Sequence, residues 1–305
     1  MGVPANSPRS HTPTNAASRL LDLTYLEANN LFIIADCGGL GKGSLRLPQR
    51  VVLYNNMLRL LCVTAHPDDE AGAFGGTLLL YHERGVETSV ICLTAGTAAR
   101  NRGRARTDEE LAALRRAELA ASCKLLNVSR AEVLDFPDSR LDRADFYHVV
   151  QELTRRIRQL RPHVVLTFGM DGGLTGHVDH AMAGIFTSAA FEWAGRPDRF
   201  PEQIEQGLQP HRAQKLYYLA ADFLLPNRQP IAPPTVTARI EIGKDRFERK
   251  IEAFQLHKTQ APLFERVRKN LGRGIGTVEM YHLAATQDPR EAKFETDLFE
   301  EVVDH

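Results

Sequence analysis

Four short runs rich in Val, Leu and Ile punctuate this chain: LRLLCVT at 58–64, TSVICLT at 88–94, AEVLDF at 131–136 and HVVLTF at 163–168. Continuous apolar runs of this length suit strands buried on both faces. Each is followed by enough chain for a helix, and that alternation predicts a Rossmann-like α/β fold, a mostly parallel sheet with helices on both faces. The helical segments qualify on their own terms. TDEELAALRRAELAASCKLL opens with an N-capping Thr107 and acidic residues in its first turn, and carries Leu111, Leu114 and Leu125 for a packed face. A second amphipathic helix is expected from Phe146 to Leu160, closed before Pro162. Later, KLYYLA and TVTARIEI read as strands and DRFERKIEAFQLHK as a long helix, with proline-containing loops around 196–214 and 222–235.

The pattern starts at Met57. Before it, MGVPANSPRSHTPTNAASR is too poor in apolar residues to order itself, and LFIIADC followed by GGLGKGS offers one short strand and a Gly-rich turn. The expected organisation is an N-terminal extension over 1–56 and a single domain over 57–305, with Met57 a candidate start codon. Lys plus Arg and Asp plus Glu both count 38, so no net field favours nucleic acid or an acidic membrane. No apolar run approaches the roughly 20 residues needed to span a bilayer, and no leader pattern opens the chain. Its four cysteines form no CxxC pair, which suits reduced thiols in a cytoplasmic protein. Homo-oligomerisation stays open.

Ligands of open parallel sheets gather at the carboxyl ends of strands. The first run leads directly into Ala65-His66-Pro67-Asp68-Asp69-Glu70, and the fourth into a Gly-rich turn ending Gly176-His177-Val178-Asp179-His180. A hydrolytic zinc site needs about three His or carboxylate ligands and one position for water. His66, Asp69 and His180 supply such a set, which also suits Fe2+, Mn2+ or Co2+. Asp68, next to a ligand, is placed to serve as general base. His177 and Asp179 could form an imidazole–carboxylate pair whose cationic ring steadies an oxyanion. The plainer alternative is that Asp68 or Asp69 caps a helix beginning near Glu70, and that Asp179 caps the one after His180.

At these residues the sequence resembles the PIG-L/LmbE-like family of zinc-dependent N-acetylglucosaminyl deacetylases. AHPDDE at 65–70 and HVDH at 177–180 carry the resemblance. Arg115-Arg116-Ala117-Glu118 looks like the family's Arg-x-x-Glu, and His257-Lys258-Thr259-Gln260 like its late His-x-Ser-Gln, with Thr in place of Ser. The likeness covers about residues 57–260. It implies zinc on His66, Asp69 and His180, Asp68 as the base that later protonates the leaving amine, and His177, oriented by Asp179, supporting the tetrahedral intermediate. The substrate would be a small amino-sugar conjugate such as a thiol precursor. Arg115 would reach the sugar or shape the pocket, its alternative being a surface ion pair with Glu118. Asp138 is a further substrate-side candidate. The loop at 99–106, with Arg100, Arg102, Arg104 and Arg106, has no counterpart in the family; it reads either as a clamp for an anionic aglycone or as a solvated lid.

Two rival readings remain. Gly38 to Ser44 has a Gly-Lys turn suited to a nucleotide hydrolase, but Gly43 stands where a phosphate-binding loop needs its hydroxyl. A non-catalytic sugar-binding protein of the same fold would not need Asp68.

Overall fold

A computed structural model describes residues 31–34, 51–54, 57–223, 232–262, 264–265, 276–288 and 293–303. Among these, two strands, β1 (Leu31–Ile34) and β2 (Val51–Tyr54), pair antiparallel with each other. The Gly-Lys turn between them lies outside the described residues. The remaining strands form one sheet: β3 (Arg59–Thr64), β4 (Glu87–Thr94), β5 (Arg130–Phe136), β6 (Val164–Thr167), β7 (Lys215–Ala220), β8 (Ala238–Glu241) and β9 (Val278–Thr286). Their order across it is β5-β4-β3-β6-β7-β9-β8. The first five are mutually parallel, and β9 runs antiparallel to both β7 and β8.

This order sets where a site can form. The chain builds outward from β3 through β4 to β5, then returns to place β6 on the other side of β3. The carboxyl ends of β3 and β6 therefore flank the point where the winding reverses, the natural crevice of such sheets. Both His/Asp clusters leave the sheet there.

The helices are α1 (Asp69–Gly72), α2 (Gly75–Glu83), α3 (Asp108–Leu125), α4 (Phe146–Leu160), α5 (Val178–Ala194), α6 (Pro201–Glu205) and α7 (Gly243–Gln255). Thr107 caps α3 as expected, accepting from the Glu110 amide at 3.2 Å; such a cap contributes about 1 kcal/mol. The buried face of α3, Leu111, Arg115, Leu119 and Cys123, follows a four-residue spacing. Asp145 caps α4 through the His148 amide at 2.9 Å, and α4 ends at a left-handed Arg161, one residue before Pro162. Cys62, Cys92 and Cys123 are free thiols buried in the core.

One close approach positions the site. A Cβ on Gly184 would lie 2.3 Å from the carbonyl oxygen of Phe168, so α5 can rest against the end of β6 only because residue 184 has no side chain. That approach stacks the Phe168 ring on His180, with centroids 4.0 Å apart and planes 6° from parallel. Three features depart from the sequence reading. The segment expected to be loop around 196–214 contains the short helix α6, the extension holds a second strand, β2, where one was expected, and β9, which lies between β7 and β8, was not anticipated. No described helix is long and apolar enough to cross a membrane.

Candidate metal centre

β3 delivers Ala65 and His66, and the chain then turns sharply into α1. Asp69 is fixed by this turn: its Oδ2 accepts the backbone amides of His66 at 2.8 Å and Ala65 at 3.2 Å. The other oxygen, Oδ1, lies 3.2 Å from His180 Nε2, and Oδ2 lies 3.7 Å from His66 Nδ1. His180, more than 100 residues further along the chain, thus faces His66 and Asp69. Burial would raise the Asp69 pKa, but His180 and then His66 hold it well below the usual carboxylate range.

The donor set suits a divalent cation because the outer nitrogen of each ring is already engaged. His66 Nε2 donates to Asp179 Oδ2 at 3.1 Å and stands 3.2 Å from Asp138 Oδ1, which leaves Nδ1 free to act as a ligand. His180 Nδ1 pairs with Thr175 Oγ1 at 3.1 Å, leaving Nε2. Such partners fix the tautomer and orientation of a metal-binding histidine. Burial would lower the His66 pKa, yet its bonds to Asp138, Asp179 and Asp69 raise it well above the usual value. Carboxylates that stabilise a proton there would also stabilise a cation. His177 lies at the same locus: ligand atoms of His66, His177 and His180 all fall within 4.8 Å of one another.

Asp68 occupies an unusual position. Its φ of 120° is rare for a residue with a side chain, at a cost of about 1–3 kcal/mol. Its carboxyl is buried next to Asp69; burial first, and then the Asp69 charge, push its pKa up to about 7 despite Arg115 nearby. A carboxyl that can gain or lose a proton near neutrality is suited to acid–base work. The capping alternative fails for this residue, whose side chain makes no bond to the amides of α1.

Three of the expected residues make contacts that the sequence reading left open or placed elsewhere. The carboxylate of Asp179 does not hold the His177 ring. It accepts from His66 and from the backbone amides of Ser139 at 2.6 Å and Leu141 at 3.2 Å, because the first turn of α5 directs residues 177 and 179 apart. Second, His177 is itself the cap of α5: its Nδ1 accepts the Asp179 amide at 3.1 Å, so the two residues are joined through the backbone of Asp179 and not through its carboxylate. Burial, and then the neighbouring His66 and His180, lower the His177 pKa, and with Nδ1 accepting an amide the ring proton belongs on Nε2. Third, Arg115 is 3% exposed and forms no pair with Glu118. Its guanidinium donates to the carbonyls of Pro67 and of Gly96, the latter at 2.8 Å, and lies 3.4 Å from Asp68 Oδ2. A Cβ on Gly96 would lie 2.5 Å from that guanidinium. Arg115 therefore braces the turn from beneath.

Other contributors were not legible as such. Thr175 and the amides of Ser139 and Leu141 carry no sequence signal for this use. Asp138, a secondary candidate from sequence, sits against His66 and accepts the Ala98 amide at 2.6 Å, tying the Arg-rich loop to the site. Of that loop's arginines, Arg102 pairs with Asp108 at 2.7 Å, while Arg100 and Arg104 are exposed.

Residues 61–191 match the family model described as PIG-L, GlcNAc-PI de-N-acetylase. The chain is 31% identical over 294 residues to a 1D-myo-inositol 2-acetamido-2-deoxy-alpha-D-glucopyranoside deacetylase of Thermobifida fusca, covering 80% of this chain and 99% of that one. It is also 32% identical to a diacetylchitobiose deacetylase of Thermococcus kodakarensis, with the match spanning 54% of this chain and 61% of the relative's length. Among solved structures, an N,N'-diacetylchitobiose deacetylase from Pyrococcus horikoshii superposes with a TM-score of 0.61 at 23% identity, covering 74% of this chain and 83% of that one.

Proposed function

The chain belongs to the PIG-L family, and from that premise we propose that it is a zinc-dependent hydrolase that removes the acetyl group from the nitrogen of a small N-acetylglucosamine conjugate. On this reading the working domain starts at Met57, and the acylated substrate is a glycoside of thiol-precursor type. The observation that carries the proposal is the convergence of His66, Asp69 and His180 beside the buried carboxyl group of Asp68.

His66, Asp69 and His180 would hold the ion. When bound, a divalent cation supplies Lewis acidity to the attacking water and the amide carbonyl. The protein's own groups do the rest. Asp68 accepts a proton from the water as its oxygen bonds to the acetyl carbon, and returns that proton to the nitrogen as the C–N bond breaks, giving acetate and a free amine. His177, neutral and with its proton on Nε2, donates to the oxygen that gains charge as the carbonyl is attacked. Asp179 and Asp138 hold the outer nitrogen of His66, and Thr175 holds that of His180, so little reorganisation is required during the reaction.

The experiment is a panel of acetylated amino-sugar conjugates, with aglycones of inositol, malate and a second sugar, scored by release of primary amine. At least one should yield amine at a rate that falls about 100-fold or more in Asp68→Asn with the metal retained. A protein that binds these glycosides and releases no amine from any of them would instead be a sugar-binding member of the fold.

A further inference from the structure

Asp68 is held by two residues that are themselves almost fully buried, Glu70 and Arg115. Its strained backbone keeps a full hydrogen bond, because the amide donates to Glu70 Oε2 at 2.9 Å. Glu70 is 0% exposed, and its other oxygen accepts from Ser122 Oγ at 2.6 Å and His257 Nε2 at 2.7 Å. Both carboxyl oxygens of Glu70 are thus satisfied by side-chain and backbone donors inside the protein. His257 is 1% exposed and comes from the turn after α7, which Glu118 of α3 fastens by accepting the Thr259 amide at 2.9 Å and its hydroxyl at 2.6 Å. From the opposite side Arg115 grips the Pro67 carbonyl and approaches the Asp68 carboxylate. A buried, fully hydrogen-bonded carboxyl group directed at one strained peptide is out of proportion to simple packing. Its effect is to fix where the next side chain points.

We propose that Glu70, seated by His257, is a positioning residue that locks the backbone of Asp68 and thereby aims its carboxylate at the reacting amide. The proposal rests on Asp68 being the general base. Released from Glu70, the turn would relax toward ordinary dihedrals, and a shift of about 1 Å at a catalytic group costs on the order of 100-fold in rate.

A double-mutant cycle on the zinc-loaded enzyme tests this, using the panel glycoside with the highest turnover. Glu70→Ala should lower kcat about 100-fold, with KM and zinc content little changed. Glu70→Gln, which retains a carbonyl oxygen for the Asp68 amide while His257 changes tautomer, should recover most of that loss. In the Asp68→Asn background Glu70→Ala should cost no more than about 2-fold, because the group it positions is already disabled. Equal losses in both backgrounds, wild-type kcat in Glu70→Ala, or a fall explained by lost zinc would overturn the proposal. Full activity in Asp68→Asn would instead remove the base assignment, and the positioning role with it. Should Glu70→Ala not fold, His257→Gln goes through the same cycle with a loss of about 10-fold expected, and additivity there is equally fatal.

Discussion

Asp179 and His66, 113 residues apart in the chain, meet through a 3.1 Å hydrogen bond that leaves the inner nitrogen of His66 facing Asp69. Asp179→Asn keeps the shape of the side chain but removes its charge, so zinc affinity should fall about 10-fold or more. Asp138, also near His66 Nε2, should limit the loss, and Asp138→Asn/Asp179→Asn should lose more than either alone. Competition with a metal-sensitive dye measures both.

The separation of α5 from β6 sets the place of His180. Gly184→Ala would put a methyl group 2.3 Å from the Phe168 carbonyl, which cannot yield without moving β6 or α5. Destabilisation of about 1–3 kcal/mol should follow. Because His180 lies one turn before residue 184 on the same helix, zinc affinity should drop in parallel with the melting temperature. An unchanged affinity in a destabilised variant would show that the ligand geometry tolerates a shifted helix.

The Arg-rich loop leaves β4 close to Asp138, and its Arg100 and Arg104 side chains point to solvent. An exposed guanidinium adds at most about 1 kcal/mol to an anionic partner, roughly 5-fold. Arg100→Ser/Arg104→Ser should therefore lower kcat/KM for a carboxylate-bearing glycoside by about that factor per lost contact, leave neutral glycosides unchanged, and narrow the difference at high salt. Equal effects on neutral and anionic substrates would mark the loop as a lid.

Far from the site, His211 donates from Nε2 to the Pro162 carbonyl at 2.7 Å, and burial lowers its pKa to about 4. Its unfolded value is about 6.5. Between those two values the unfolded chain binds the proton first, so this histidine makes stability rise with pH from about 4 to about 6.5 and contributes no slope above that. His211→Asn, which retains a donor, should flatten that part of the curve. Urea midpoints at pH 4.5, 5.5 and 7 would reveal it, the variant losing less than the parent on acidification.

The parallel strands and the two strand ends that bring His66 and His180 together were both readable in the sequence, for related reasons. A strand buried on both faces must be apolar throughout, as 58–64 and 163–168 are, and the crevice of a parallel sheet lies at strand ends, where His66 and His180 stand out. β9 escaped notice because only alternate residues of its first half are buried, and its VEMYHLAAT mixes Glu and His with short apolar groups. The partnership of Asp179 with His66 was hidden by distance. Sequence pairs Asp179 with His177, two residues away, whereas its carboxylate reaches residues 38, 40 and 113 positions distant. Glu70 and His257 were visible as parts of motifs but not as partners, since 187 residues separate them.

Metal dependence of amine release tests the central claim most directly. Purified protein should carry about one zinc per chain, lose deacetylation of its best glycoside on exhaustive chelation, and regain it when one equivalent of zinc is restored. His66→Ala and His180→Ala should fail to retain the ion. Undiminished amine release from protein shown by elemental analysis to be free of zinc, iron, manganese and cobalt would contradict the account.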